Sequence, residues 1–203
     1  MGKTIGVLAL QGDFIEHEAM LQQVGANTKQ IRLPADLEGL DGLIIPGGES
    51  TTIGKIATEY GLIEPLREFA ATKPTWGTCA GMIFLAKELG QHAQPILGLM
   101  DIRVNRNAFG RQIDSFETDL SVRGFEETPY HAVFIRAPLV EQVLSDDVAI
   151  LAQLDDGRIV AAQQDHLLAT AFHPELTDDL RLHRYFYDMV SAHSNQEKND
   201  EQG

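Results

Sequence analysis

Gly77-Thr-Cys-Ala-Gly81 restricts what this chain can fold into more than any other stretch. A short run after Pro74 leads into it, and the apolar Met82-Ile-Phe-Leu-Ala86 follows, as where a strand turns sharply into a helix. Glycines on both sides permit a tight, strained turn, which lifts the middle side chain to the top of a sheet. A thiol there sits at a helix N-terminus, where unpaired N–H groups and the helix dipole favour the thiolate. Cys79 is also the sole cysteine of the 203 residues, so no internal disulfide competes for it. Cys79 is a candidate nucleophile.

The elbow lies in a first half that alternates strand and helix. Residues 4–10, 28–33, 42–45 and 75–77 read as strands, and residues 15–24, 63–71 and the stretch from Cys79 to near Gly90 as helices. A further helix starts near Ser50 or Thr51, whose hydroxyls can cap it. Such alternation predicts an α/β fold: three layers, with a mostly parallel open sheet flanked by helices. Ligands bind beyond the carboxyl ends of strands in such sheets, where the Pro46-Gly47-Gly48 loop and Cys79 both fall. The second half changes character. Residues 101–106, 117–122, 132–136, 150–154, 158–163 and 168–172 read as short strands, with a hairpin turn at Asp155-Asp156-Gly157. A closing helix is expected over 179–192. One domain over 1–193 and a disordered polar tail over 194–203 follow from this reading.

A net charge of −14 argues against a nucleic-acid partner, which would need clustered Lys and Arg. The chain carries no apolar run near the ~18 residues of a membrane span, and its N-terminus reads as a strand rather than a signal peptide. One unpaired cysteine suits a reducing cytoplasm.

A cysteine nucleophile needs a base. His173 follows the apolar run Leu167-Leu-Ala-Thr-Ala-Phe172 and precedes Pro174-Glu175, so it too stands at a strand end. Proline holds His173 extended, and Glu175 is placed to accept the imidazole proton and fix the tautomer. The other histidines fare worse. His17, between Glu16 and Glu18, reads as solvent-facing; His92, His166, His183 and His193 have no oriented partner nearby in sequence. His131, beside Tyr130, is kept as a group that could stand behind the site. No His/Cys spacing matches a zinc site, so no metal and no cofactor are expected. Gly47-Gly-Glu-Ser-Thr-Thr52 is not a phosphate loop, since Ile56 follows Lys55 where a hydroxyl belongs. It reads instead as an oxyanion loop, with backbone N–H groups of Gly48 and of Ala80 as donors.

Gly77-Thr-Cys-Ala-Gly81 with His173-Pro-Glu175 resembles the triad of the class I glutamine amidotransferases, a flavodoxin-like fold. Leu10-Gln-Gly12, Pro46-Gly-Gly-Glu-Ser-Thr-Thr52 and Asn105-Arg-Asn-Ala-Phe-Gly-Arg-Gln-Ile-Asp-Ser-Phe-Glu117 narrow this to the glutaminase subunits of pyridoxal 5′-phosphate synthase. Phe134-Ile-Arg-Ala-Pro138 and Phe172-His-Pro-Glu-Leu-Thr177 extend the match over nearly the whole chain. The resemblance implies hydrolysis of L-glutamine through a γ-glutamyl thioester on Cys79. The ammonia would pass to a separate (β/α)₈-barrel synthase subunit. It also implies that Gly47, Gly48, Glu49, Arg106, Ile135 and Arg136 contact glutamine, and that Gln11 couples the oxyanion loop to the partner. Two alternatives stay open at this level: a glutaminase serving another synthase, and a non-catalytic regulatory subunit.

Overall fold

The computed structural model describes residues 2–90, 93–106, 115–125 and 127–200, with side chains through 196. His92 and residues 107–114 of the block from Asn105 to Glu117 lie outside them. The first half holds β1 (Thr4–Leu8), α1 (Phe14–Gln23), β2 (Asn27–Ile31), β3 (Gly42–Ile45), α2 (Ser50–Glu59), α3 (Ile63–Thr72), β4 (Thr75–Thr78) and α4 (Ala80–Leu85). The second half adds β5 (Ala86–Leu89), β6 (Met100–Asn105), β7 (Ser115–Leu120), β8 (Tyr130–Ile135), β9 (Leu139–Val143), β10 (Ala149–Gln153), β11 (Ile159–Gln164), β12 (Leu167–Thr170) and α5 (Arg181–Asp200).

Among the described residues the main sheet runs in the order β2-β1-β3-β4-β12-β11-β9-β6-β5, with β10 on β11. From β2 to β12 the neighbours are parallel, as the alternation predicts. Beyond β12 they turn antiparallel until β5 pairs parallel with β6. β7 and β8 form a separate antiparallel pair. Every residue of β3, β4 and β12 is buried, because helices cover both faces. Side chains alternate along β4. Trp76 and Thr78 meet Phe186 of α5 and His17 of α1, while Gly77 lies against Gly81 of α4 on the opposite face.

Three elements differ from expectation. The helix after Cys79 stops at Leu85, and Ala86–Leu89 pairs as an edge strand with β6 instead of continuing to Gly90. β9 has no counterpart among the expected strands; it bridges β6 and β11. The closing helix runs on to Asp200, so residues 194–200 are helical rather than disordered. The cause is visible in the buried stripe Leu182, Phe186, Val190 and Ser194, which repeats every fourth residue. Ser194 Oγ donates to the Val190 carbonyl at 3.0 Å and contacts Asp41 Oδ1 at 3.3 Å. Once such a helix is docked, lengthening it requires propagation alone and no new nucleus.

Candidate active site

The carboxyl ends of β1, β3, β4 and β12 deliver four chain segments to one spot above the centre of the sheet. Their registers bring Ile45 level with Gly77 and Thr170 level with Thr78, so the residues that follow emerge side by side.

Cys79 takes φ 47° and ψ −104°, a backbone conformation rare for a non-glycine residue. Its N–H donates to the Thr170 carbonyl at 2.8 Å, which ties the elbow to β12. The flanking glycines serve a purpose other than conformational freedom, since neither has a positive φ. A Cβ on Gly81 would stand 1.9 Å from the Ile45 carbonyl oxygen, and one on Gly77 would stand 2.4 Å from the Gly81 carbonyl. The strain falls on the cysteine; the glycines let α4 press against the strands.

The Pro46-Gly47-Gly48 loop is tied from below. The Asp13 N–H donates to the Gly47 carbonyl at 3.3 Å, and Gln11 Oε1 accepts the Glu49 N–H at 2.7 Å. In a trans peptide, the Gly48 N–H then points away from Asp13. Gly47 also packs on His173: a Cβ there would meet its Cε1 at 2.5 Å.

His173 is fixed at its backbone by an N–H donated to the Val133 carbonyl at 2.8 Å. Its Nδ1 lies 2.7 Å from Glu175 Oε1 and 3.5 Å from Asp13 Oδ2. Burial disfavours the imidazolium, but Asp13, Cys79 and Glu175 outweigh it and raise the His173 pKa above its ordinary value, which strengthens it as a base. Nε2 is buried without an aligned partner, which leaves it for the thiol and for substrate. The Glu175 carboxyl is buried too; burial pushes its pKa up, and the hydrogen bond with His173 pulls it back. Ligand atoms of Asp13, His173 and Glu175 fall within 4.8 Å of one another, but Nδ1 is already committed to Glu175. This set orients an imidazole.

Cys79 and His173 open onto a cavity of about 530 Å³, lined also by Gly48, Glu49, Ala80, Arg106, Ile135 and Arg136. Gly47, Gln11 and Glu175 stand behind that lining. Ile135 ends β8, and its carbonyl is 3.9 Å from Cys79 Sγ. Arg136 follows at φ 45°. Glu49, not Ser50 or Thr51, caps α2: its carboxylate accepts the Thr51 N–H at 3.2 Å and the Thr52 N–H at 2.7 Å. Burial works against the Glu49 charge, yet the bonds from Thr52 and Thr51 hold its pKa down to about 2. Arg106 Nη2 sits 3.3 Å from Glu49 Oε1 and 3.2 Å from Thr51 Oγ1.

Residues 7–192 match the family model described as "SNO glutamine amidotransferase family". The chain belongs to that family. Among curated relatives, "Pyridoxal 5'-phosphate synthase subunit PdxT" of Herpetosiphon aurantiacus is 62% identical, over 90% of this chain and 98% of the relative. The protein of the same name from Methanopyrus kandleri is 52% identical, over 92% of this chain and 99% of the relative. A solved glutamine amidotransferase superposes with a TM-score of 0.85 at 50% identity, covering 92% of this chain and 98% of that one. A putative GMP synthase protein from Thermoplasma acidophilum, at 20% identity and a TM-score of 0.72 over 98% of both chains, shares the fold.

In this SNO-family chain, several histidines are placed differently from expectation. His17 is not solvent-facing but fully buried, against Thr78, Glu175 and an equally buried His183. The signal was present: His17, Met20, Leu21 and Val24 keep helical spacing and share a buried face. His131 does not stand behind the site. It is exposed on β8, between Asp119 and Glu117 of β7. Asp13 carried no sequence signal, because its approach to His173 depends on where β1 and β12 end.

Proposed function

We propose that this chain hydrolyses L-glutamine to L-glutamate and ammonia, as the glutaminase subunit of a pyridoxal 5′-phosphate synthase. One observation carries the reading: an elbow cysteine, a glycine-rich oxyanion loop and a carboxylate-oriented histidine share one cavity. The names of the relatives supply the synthase. A single glutaminase domain spans 1–193 in this reading.

Cys79 passes its thiol proton to His173, and the thiolate sulfur attacks the side-chain amide carbon of glutamine. The oxygen that becomes negative is held by the N–H groups of Gly48 and Ala80; one such donor contributes roughly 2.7–4 kcal/mol in comparable sites. His173 then protonates the departing nitrogen, ammonia leaves, and the γ-glutamyl thioester remains on Cys79. Next His173 takes a proton from water, and the hydroxide attacks the thioester. Glutamate leaves and the proton returns to sulfur. Glu175 keeps His173 Nδ1–H directed away from the thiol throughout. Arg106, Glu49 and Arg136, with the Ile135 backbone, recognise the amino-acid end of the substrate. Gln11 links the oxyanion loop to the partner.

Ammonia travels to the (β/α)₈-barrel synthase subunit, and a thiol that must stay reduced suits the cytoplasm. The test is ammonia release from glutamine by the chain alone and with that subunit. Release that rises with the subunit supports the reading. Release indifferent to it keeps a glutaminase and removes the synthase, and no release in either condition overturns both.

A further inference from the structure

Beneath the triad lies a buried polar cluster that the reaction above does not use. His17 Nδ1 of α1 is 2.9 Å from His183 Nε2 of α5. On its other side, His17 Nε2 is 3.2 Å from Thr78 Oγ1 and 3.3 Å from Glu175 Oε2. The hydrogen bond of His17 Nε2 goes to Thr78, so Glu175 Oε2 has no hydrogen-bond partner, and the imidazole edge stands close beside it. Trp76 packs edge-on against both rings, with centroids at 5.7 Å from His17 and 5.0 Å from His183.

Two proton arrangements satisfy the contact between the histidines. If His17 Nδ1–H donates to His183, then His17 Nε2 turns a lone pair towards the Glu175 carboxylate. His183 Nδ1, which has no partner, would then carry an orphaned N–H. If instead His183 Nε2–H donates to His17 Nδ1, His17 donates its Nε2–H to Thr78 and turns the same positive edge towards Oε2. The unpartnered His183 Nδ1 is then a bare acceptor. The second arrangement puts positive charge density beside a carboxylate and leaves no buried N–H unpaired, so it is the stable one. Both rings are neutral in it: burial, then His183 and His173, hold the His17 pKa well below its usual value, and burial lowers His183 to about 3.

We propose that His17, with its tautomer set by His183, is a positioning residue that steadies Glu175 Oε2 and so keeps Oε1 on His173 Nδ1. The proposal rests on the glutaminase reading. It also gives α1 a double role. The loop that leads into α1 ties down Gly47 through Asp13 and Glu49 through Gln11, while the helix carries His17 to the triad's acid. The groups that face Glu175 are His173 on its own turn, His17 and Asp13 from the α1 segment, and Tyr130 from β8. Cys79 lies beyond His173, and His183 of α5 lies beyond His17.

The experiment compares parent, His17→Gln and His17→Leu in complex with the synthase subunit, following ammonia release against glutamine concentration and pH. Leucine removes the N–H and should lower kcat roughly tenfold with KM for glutamine unchanged. Its acidic limb of kcat/KM should move to higher pH, because the Glu175 carboxylate loses the positive edge of the imidazole that lies 3.3 Å from Oε2 and favours its charged form. Glutamine can place an amide N–H where Nε2–H was, and should recover most of the rate and the parental limb. A His17→Leu enzyme with parental kcat and limb overturns the proposal. So does one whose thermal stability falls while the limb stays in place. Nitrogen-15 NMR of the parent imidazoles gives an answer without any variant: a proton on Nε2 of both His17 and His183 supports the proposal, and a proton on His17 Nδ1 overturns it. A parent complex that releases no ammonia would instead refute the glutaminase reading, and this proposal with it.

Discussion

The two halves of the sheet contribute to the site by different means. The segments that leave the parallel half, β1, β3, β4 and β12, are held through backbone: the elbow φ of Cys79, the Gly47 carbonyl tied to Asp13, and the His173 N–H bonded to Val133 of β8. The facing wall of the cavity is lined instead by side chains at the end of β6, in the antiparallel half, and at the end of β8, in the separate pair: Arg106, Ile135 and Arg136. In the proposed reaction, chemistry therefore rests on groups fixed by backbone contacts. Recognition rests on side chains at strand ends, which tolerate change at a smaller cost.

That contrast predicts graded effects. His173→Asn should fall hardest among the orienting groups, lowering kcat on the order of 10⁴-fold, while Glu175→Gln, which retains an acceptor oxygen for Nδ1–H, should lose less. The reverse order in a steady-state assay would break the assignment of roles. Gly81→Ala should come next and act through folding. Its Cβ would lie 1.9 Å from a backbone oxygen, where no rotamer change relieves the clash. Overpacking costs about 1–3 kcal/mol where side chains can yield, so denaturant unfolding should show a loss at or above the top of that range. A parental midpoint would show that the elbow is softer than its geometry implies. Arg106→Ala, in the recognition half, should raise KM for glutamine about ten- to a hundredfold and leave the fold intact. A loss of kcat alone would move Arg106 from recognition to chemistry.

Glu49→Gln should have the smallest effect and the clearest pH signature. The folded-state pKa, about 2, lies below the ordinary 4.5, so the carboxylate adds stability above pH 4.5 and loses it as pH falls towards 2. The difference in unfolding free energy between parent and variant should therefore shrink over that window. A constant difference would mean that the helix cap is insensitive to charge.

How much of this is legible in the sequence also divides between the halves. In the parallel half, turn chemistry and apolar runs announce each strand end, so Cys79, the Gly47-Gly48 loop and His173 are all readable without coordinates. The end of α4 is not, because Ala86-Lys-Glu-Leu89 suits a helix locally and becomes a strand by pairing with β6. Glu49 reads as a substrate contact and lines the cavity, but the sequence does not announce that its two oxygens also cap the first turn of α2. His17 shows a different failure. Its charged neighbours Glu16 and Glu18 suggest solvent, although its spacing to Met20, Leu21 and Val24 places it on the buried face. Periodicity outranks the immediate neighbours. Asp13 is beyond reach, since its distance from His173 is set by two strands far apart in sequence.

The central claim is a γ-glutamyl thioester on Cys79, and hydroxylamine trapping tests it most directly. With glutamine and hydroxylamine, the complex of parent chain and synthase subunit should yield γ-glutamyl hydroxamate, and the Cys79→Ala complex should yield none. Hydroxamate formed by Cys79→Ala at the parental rate would contradict the account.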